Sequence, residues 1–149
     1  MKRVVGLLLI FVMLFTSTSF ASEMVEVDSQ EIEQNIMQEM IVEPRYTYLA
    51  YMTVGLEIDE NGRIAYVGSA RSLNHNIRIT LYLQRSTNGF IWEDLEATVK
   101  TAYDNVATSG WRNVTEGNYY YRVKIVTDVM DSNRNILETA TGYSSQEQY

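Results

Sequence analysis

The chain has 149 residues with one His and no Cys, and its 12 basic and 19 acidic residues give a net charge of −7. This length supplies one domain, and the lack of Cys excludes a disulfide-stabilised scaffold and a thiolate zinc site. The acidic balance argues against nucleic acid and anionic membrane surfaces as partners, because both are bound through Lys and Arg.

Residues 1–21 have the three parts of a secretory signal peptide. Lys2 and Arg3 precede an apolar run over residues 4–15, and small residues follow up to Ala21. The apolar run is too short to span a bilayer, so a retained anchor helix is the weaker alternative. We expect cleavage after Ala21, which gives a secreted, extracellular protein with 10 basic and 19 acidic residues and no further membrane contact.

Residues 22–44 form an acidic leader, because seven carboxylates come before the first basic residue of the mature chain, Arg45. Apolar residues recur in the leader at helical spacing: Ile32, Ile36, Met37, Met40 and Ile41. This spacing is compatible with a short amphipathic helix over residues 29–42 that ends before Pro44. The other interpretation is a flexible leader that becomes ordered only in contact with a partner.

After the leader, apolar and polar residues alternate, as in a β-strand with one face in a core. Two such runs, over residues 46–58 and 64–70, flank a turn. A three-residue loop that ends at a left-handed Gly62 pairs Ile58 with Ile64 and keeps both apolar faces on one side. A two-residue loop would place the two apolar faces out of register, so we predict the three-residue loop.

The next stretch combines one strong strand with weaker signals. A polar break is predicted at residues 71–76, followed by a core strand over residues 77–84. Residues 86–89 read Ser-Thr-Asn-Gly, which is typical of a turn. A weaker strand, with Trp92, Leu95, Ala97 and Val99 as its apolar residues, is expected at a sheet edge. Residues 100–118 show no regular alternation, so irregular structure is expected there.

Residues 119–130 give the strongest strand prediction in the chain. Core-facing positions are Tyr121, Val123, Ile125, Thr127 and Val129, and the alternate positions are Tyr120, Arg122, Lys124, Val126 and Asp128. The aromatic and β-branched content, without Gly or Pro, is typical of a central strand. A turn at residues 131–135, a last strand over residues 136–143 and a polar tail over residues 144–149 complete the chain.

About seven strands without an intervening helix favour an antiparallel sandwich over residues 45–149. Within it, residues 81–92 and residues 117–125, which end in Tyr-Arg-Val-Lys-Ile, resemble the mid-strand and Tyr-x-Val-x-Val segments of fibronectin type III modules. Tyr121 is similar in position to the corner tyrosine of those modules. The chain also resembles small secreted single-domain proteins of Gram-positive bacteria. This resemblance implies an immunoglobulin-like (fibronectin type III-like) sandwich and brings no catalytic residues.

Patterns that would carry catalysis are few. His75 is the only histidine and lies in a polar segment without a nucleophile-elbow pattern, so it is interpreted as a solvated loop residue. Glu93, Asp94 and Glu96 could supply the carboxylate pair of a glycoside hydrolase, but a charged sheet edge explains them better. We therefore expect no enzymatic activity.

A calcium-loop pattern begins at Asp131 and continues through Asn133 and Asn135. It lacks the Gly at the sixth position, which is Ile136, and the Glu at the twelfth, which is Gly142. Asp and Asn are also the residues that a hairpin turn favours, so the turn is the better explanation. No cofactor or metal is expected.

The aromatic content is the remaining sign of function. Tyr82 and Tyr120 lie on the outward faces of the two strongest strands, and Arg78, Arg122 and Lys124 share those faces. Such side chains form binding platforms for glycans or proteins, although they also form cross-strand pairs that only support a sheet. We therefore interpret the protein as a non-enzymatic binding module at or outside the bacterial cell envelope.

A second hypothesis is a secreted effector or a bacteriocin-like precursor. Under this hypothesis the acidic leader over residues 22–44 is a pro-segment, because the charge changes abruptly at Arg45. A mature N-terminus near Tyr46 would favour the precursor, whereas a mature N-terminus at Ser22 would favour the binding module.

Overall fold

The structure is a computed structural model that describes residues 39–40, 46–115 and 117–149. The predicted signal peptide and most of the predicted leader helix lie outside the described residues. The prediction of an all-β, antiparallel fold is confirmed, since the described part of the chain contains strands and no helix.

All the strands belong to one antiparallel sheet. They are β1 (Glu39–Met40), β2 (Leu49–Ile58), β3 (Arg63–Ser86), β4 (Glu93–Asn113), β5 (Tyr120–Met130), β6 (Ile136–Tyr143) and β7 (Glu147–Gln148). The bounds predicted for β5 and β6 are confirmed. Five strands carry the sheet, because β1 and β7 have only two residues each.

β3 is shared by two half-sheets. On one edge, its residues 64–72 pair with β2 and its residues 76–86 pair with β5. On its other edge, β4 pairs along both parts. The sheet curls between these parts, so the first half-sheet, which contains β2, faces the second half-sheet, which contains β5 and β6. The hydrophobic core lies between the two.

The sheet bends where the sequence predicted a break. The register of β3 and β4 shifts between Arg71 and Asn76, and Asn74 and Asp104 both adopt left-handed backbone with φ of 63°. Asn and Asp tolerate that conformation better than most residues. The Asp104 carboxylate ties the bend, because its Oδ1 accepts a hydrogen bond from the Asn74 backbone N–H (3.2 Å). The polar break at 71–76 is therefore wrong as a strand boundary and marks a bend within β3.

The prediction of irregular structure over residues 100–118 is also wrong. β4 continues to Asn113 as a strand of 21 residues. Its alternation is weak because only one apolar side chain of the later part, Val106, is buried. The neighbouring inward positions hold Thr108, Gly110 and Arg112, opposite Gly68, Tyr66 and Ile64 of β3.

Inward-facing side chains of the two half-sheets fill the core. Fully buried members are Val54, Ile64, Ile77, Ile79, Leu81, Leu83, Tyr121, Val123, Ile125 and Val129. The half-sheets approach most closely at Gly68, where a Cβ atom would overlap the Leu81 side chain and lie 3.2 Å from Ile125. The predicted inward faces of residues 77–84 and 119–130 are confirmed at these positions.

The predicted hairpin between β2 and β3 is confirmed. Ile58 pairs with Ile64, and Gly62 adopts φ of 75°. The Asp59 carboxylate accepts hydrogen bonds from the backbone N–H groups of Asn61 and Arg63, both at 2.9 Å. The Asp59 carboxylate therefore fixes the loop from within, and glycine supplies the left-handed position at no steric cost.

The predicted polar tail is wrong, because residues 144–149 are part of the fold. β7 pairs with the start of β5, and Tyr149 exchanges two backbone hydrogen bonds of 3.0 Å with Tyr119. The Glu147 carboxylate accepts a hydrogen bond from the Ile58 N–H at 3.2 Å, and burial raises its pKa. The sequence does not predict this strand, because two paired residues are too few to show an alternating pattern.

At the described part of the leader, the predicted helix is not formed. Glu39 and Met40 pair with Thr53 and Met52 of β2. The rest of the predicted helix over residues 29–42 lies outside the described residues. The leader therefore contacts the sheet through strand pairing at this point.

Gly110 gives a test of how the first half-sheet meets β4. Tyr66 lies opposite Gly110, and its side chain extends along β4. The Tyr66 hydroxyl donates a hydrogen bond to Glu96 (2.8 Å), and burial raises the pKa of Tyr66. A Cβ atom at position 110 would overlap the Tyr66 ring. We expect Gly110→Ala to lower the free energy of unfolding by about 1–3 kcal/mol, measured by urea denaturation.

Gly117→Ala is the matched control, because a Cβ atom at position 117 would lie 3.9 Å from its nearest neighbour, an atom of Tyr149, which is an ordinary contact. That variant should stay within about 0.5 kcal/mol of the wild type. Equal effects of the two substitutions would contradict the proposed overlap.

Glu138 gives a second test, because its carboxylate holds the start of β2 against β6. It accepts hydrogen bonds from three successive backbone N–H groups, those of Thr47, Tyr48 and Leu49, at 2.9–3.0 Å. An amide oxygen accepts these bonds less strongly, so Glu138→Gln should lower the free energy of unfolding by about 1–3 kcal/mol. Glu60→Gln, at an exposed turn position, should change it by less than about 0.5 kcal/mol in the same urea titration.

Candidate functional site

The outer face of the second half-sheet carries the cationic and aromatic residues that the sequence selected. Successive outward positions of β3 pair with outward positions of β5, as Tyr82 pairs with Lys124 and Gln84 with Arg122. β6 extends this face, since Tyr143 pairs with Lys124. Strand alternation alone places these side chains on one surface.

Arg122 contacts two aromatic rings. Its guanidinium carbon lies 4.1 Å from the ring centroid of Trp92 and 4.3 Å from that of Tyr143. Its Nε donates a hydrogen bond of 2.8 Å to the Gln84 side-chain oxygen. We call Trp92, Arg122 and Tyr143 the aromatic clamp. Each such cation–π contact stabilises by about 0.5–1 kcal/mol when exposed and more when water is excluded.

Lys124 forms a third cation–π contact beside the clamp. Its Nζ lies 4.1 Å from the centroid of the Tyr82 ring and 3.7 Å from Asp94 Oδ2. The Gln84 amide nitrogen donates to Asp94 Oδ1 at 2.6 Å. Gln84 and Asp94 therefore link the two cations, and the resulting surface is a connected network.

Partial burial changes the electrostatics of the clamp. Desolvation lowers the pKa of the Arg122 guanidinium, which still remains protonated because an Arg pKa lies far above neutral pH. The nearby carboxylate of Asp94 opposes this shift. The clamp thus presents a positive charge that is partly stripped of water.

Of the five predicted binding residues, Tyr82, Arg122 and Lys124 come together, and the other two lie apart on the same face. Arg78 is occupied by Asp128, whose Oδ2 accepts hydrogen bonds from Arg78 Nη2 (2.6 Å) and Nε (3.1 Å). Tyr120 is half-buried beside the turn that follows β3 and pairs with β7. Arg78 and Tyr120 are therefore positioned as supports of the sheet.

The sequence did not place Trp92 in this group. Glu96 pairs with the inward Leu83, so regular alternation along β4 would place Trp92 on the inner side as well, but the register of β3 and β4 shifts between Leu83 and Gln84. This β-bulge reverses the facing of the residues before it, and Trp92 then contacts Arg122 on the outer face. Tyr143 also was not predicted to belong to this group. The sequence offered one indication, an aromatic residue without a required core position in the strand that follows Arg122 and Lys124.

The turn before Trp92 presents two apolar side chains to solvent. Phe90 is 87% exposed and Ile91 is 78% exposed. Their backbone N–H groups both donate to the Asn88 side-chain oxygen, at 2.9 and 3.0 Å, and Ser86 Oγ accepts from Gly89 at 2.9 Å. The tip is therefore ordered although its side chains have no core contacts.

The residues considered for catalysis are engaged elsewhere. His75 Nδ1 lies 2.6 Å from the Leu73 carbonyl, and its ring lies 4.8 Å from the Tyr48 ring. The three candidate carboxylates each have a separate cationic partner: Glu93 has Arg85, Asp94 has Lys124 and Glu96 has Arg112. Within the described ranges, no group of three or more His, Asp or Glu residues could hold a metal ion.

The carboxylate of Asp131 is used by its own hairpin. It accepts hydrogen bonds from the backbone N–H groups of Asn133 (2.8 Å) and Asn135 (2.9 Å) and from the Asn135 amide (2.9 Å). These bonds, with that from the Asn135 side chain the largest, lower the pKa of Asp131. The same arrangement occurs at Asp59, so the calcium-like spacing forms a turn.

Comparisons of the chain with protein-family models and with curated proteins find no match. In the part of the chain that the structure describes, no helix has the length and apolar character needed to cross a membrane.

The lowered pKa of Asp131 predicts an acid-dependent stability. Because its pKa is lower in the folded state, its contribution is present above the unfolded pKa, near about 4, and is lost as the pH falls through the folded value. Asp131→Asn keeps one oxygen acceptor but cannot titrate. We expect wild type to lose more free energy of unfolding than Asp131→Asn between about pH 6 and about pH 2, measured by urea denaturation. Equal losses would contradict the prediction.

Proposed function

We propose that this protein is a secreted, non-enzymatic binding module that acts at or outside the bacterial cell envelope. The observation that carries the proposal is the network of Tyr82, Lys124 and the aromatic clamp on one outward face. A sheet does not need paired cations and aromatic rings on its solvent side in order to fold. A protein or glycan ligand would gain from both.

Preorganisation supports this proposal. Arg122 and Lys124 are each fixed by an aromatic ring and by a polar partner, so binding would require little further loss of side-chain entropy. Tyr and Trp with Arg are the residues that contribute most to binding interfaces. The neighbouring apolar tip at Phe90 and Ile91 would enlarge the contact area available to a protein partner.

Secretion and the fold relationship belong to the same proposal. The basic, apolar and small-residue pattern of residues 1–21 supports export, and the resemblance to secreted proteins of Gram-positive bacteria supports a location outside the cell. Two facing antiparallel layers and the buried Tyr121 support an immunoglobulin-like, fibronectin type III-like relationship. β3 and β4 run through both layers, which differs from a sandwich of two separate sheets.

The precursor hypothesis has less support. Removal of the leader up to residue 45 would also remove β1, whose Glu39 and Met40 pair with β2. A pro-segment that completes a sheet edge is compatible with a precursor, but no observation on the described residues favours it over the binding module.

A binding experiment tests the proposal directly. Protein from expression of the full chain would be applied to a glycan array and used in pull-downs from cell-envelope extracts. We expect the double variant Tyr82→Ala with Tyr143→Ala to reduce binding by about tenfold or more, because it removes the half-buried ring of Tyr82 and the exposed ring of Tyr143 from the network. Folding of the variant would be checked by circular dichroism and urea denaturation.

Tyr51→Ala is the matched control, because Tyr51 is an exposed tyrosine, at 38%, on the first half-sheet. It should leave binding unchanged. No ligand in either assay, or equal losses in the control and the double variant, would contradict a binding role for this face.

A further inference from the structure

Arg122 has hydrogen-bond donors that the described part of the chain leaves unused. Its Nε donates to Gln84, while its two terminal amino groups have no acceptor among the described residues. Arg78, by contrast, directs both Nε and Nη2 at Asp128. The terminal edge of the Arg122 guanidinium is therefore available to a ligand.

The surroundings of Arg122 fix the orientation of this edge. The rings of Trp92 and Tyr143 lie close to the guanidinium, with their centroids 4.1 and 4.3 Å from its carbon, and Gln84 accepts the hydrogen bond from Nε. Gln84 is in turn held by Asp94 at 2.6 Å. These contacts restrict the orientation of the guanidinium, and its terminal amino groups remain the donors that a ligand can use.

The terminal amino groups of Arg122 favour a carboxylate as the ligand. Two parallel N–H donors of a guanidinium match the two oxygens of a carboxylate, and partial desolvation strengthens the pair. A dianionic phosphate fits less well, because Asp94 lies beside the clamp and the chain has a net charge of −7. A singly charged carboxylate meets less repulsion.

Tyr143 points to a sugar as the bearer of that carboxylate. One face of its ring lies against Arg122, yet Tyr143 remains 46% exposed. An exposed tyrosine ring packs well against the C–H face of a pyranose. We propose that Arg122 binds the carboxylate of an acidic sugar, such as a uronate, whose ring packs against Tyr143. This inference rests on the proposed binding function and names its ligand class.

Matched oligosaccharides test the inference. Titration calorimetry would compare an oligogalacturonate with its fully methyl-esterified form, using protein from expression of the full chain. We expect the acid to bind and the ester to bind at least about tenfold more weakly, because esterification removes the charge and one acceptor oxygen. Equal affinity for the acid and the ester, or binding of neither, would overturn the inference.

Arg122→Lys tests whether binding requires the guanidinium group or only its positive charge. Lysine keeps the positive charge but cannot form the two parallel hydrogen bonds, so binding of the oligogalacturonate should fall by about tenfold or more. Arg63→Lys is the control, because Arg63 also lies over a tryptophan ring, that of Trp111 at 5.3 Å, on the first half-sheet. It should bind as wild type does. An unchanged affinity in Arg122→Lys would overturn the inference.

Two further results distinguish this inference from the proposed function. If a neutral glycan or a protein binds and its binding falls in the Tyr82→Ala and Tyr143→Ala variant but not in Arg122→Lys, the proposed function stands and the carboxylate assignment fails. If a polyglutamate peptide competes for Arg122 more strongly than the oligogalacturonate, a peptide carboxylate replaces the sugar and the inference is likewise overturned.

Discussion

The fold depends on the pairing of β3 with β4 on both sides of the bend. This ladder runs from the Arg63 and Asn113 pair to the Arg71 and Asn105 pair and, beyond the bend, from the Asn76 and Tyr103 pair to the Arg85 and Glu93 pair. Because β4 occupies one edge of β3 throughout, β2 and β5 must share the other edge, one on each side of the bend. The two layers of the core are therefore two parts of one hydrogen-bonded sheet.

The proposed binding face depends on an irregularity in the same ladder. The β-bulge opposite Leu83 and Gln84 changes which residues of β4 face outward. Without it, Trp92 would turn toward the core side, and one aromatic ring of the clamp would be lost from Arg122. Bulges commonly re-aim a side chain next to a functional site. Here the bulge allows Trp92, which lies just before β4, to contact Arg122 of β5 next to Tyr143 of β6. These residues are distant from Trp92 in sequence.

Strand periodicity predicted the parts of the fold in which one face is clearly apolar. β5, β6 and the three-residue hairpin at Gly62 followed from residues that alternate without interruption, since a slip by one position would expose the whole apolar face. The outward grouping of Tyr82, Arg122 and Lys124 followed from the same parity. These features depend on the alternation of apolar and polar residues within single strands, which can be seen in the sequence itself.

The features that were not predicted depend on pairing between distant residues. Polar side chains at Ser72 and Asp104 were interpreted as a loop, although they form hydrogen bonds across a bend within continuous strands. β7 has two paired residues, too few for a period to appear. The outward position of Trp92 required knowledge of the bulge, which no single-strand pattern contains.

The bend itself limits how the molecule can move. Two adjacent strands cross it, and each has one residue, Asn74 or Asp104, in left-handed backbone. A hinge motion between the layers would require both residues to change conformation together while the surrounding ladder breaks. Under the proposed function, the protein would therefore meet its ligand as a rigid surface, in a lock-and-key manner, so that selectivity is determined by shape and charge already present before contact.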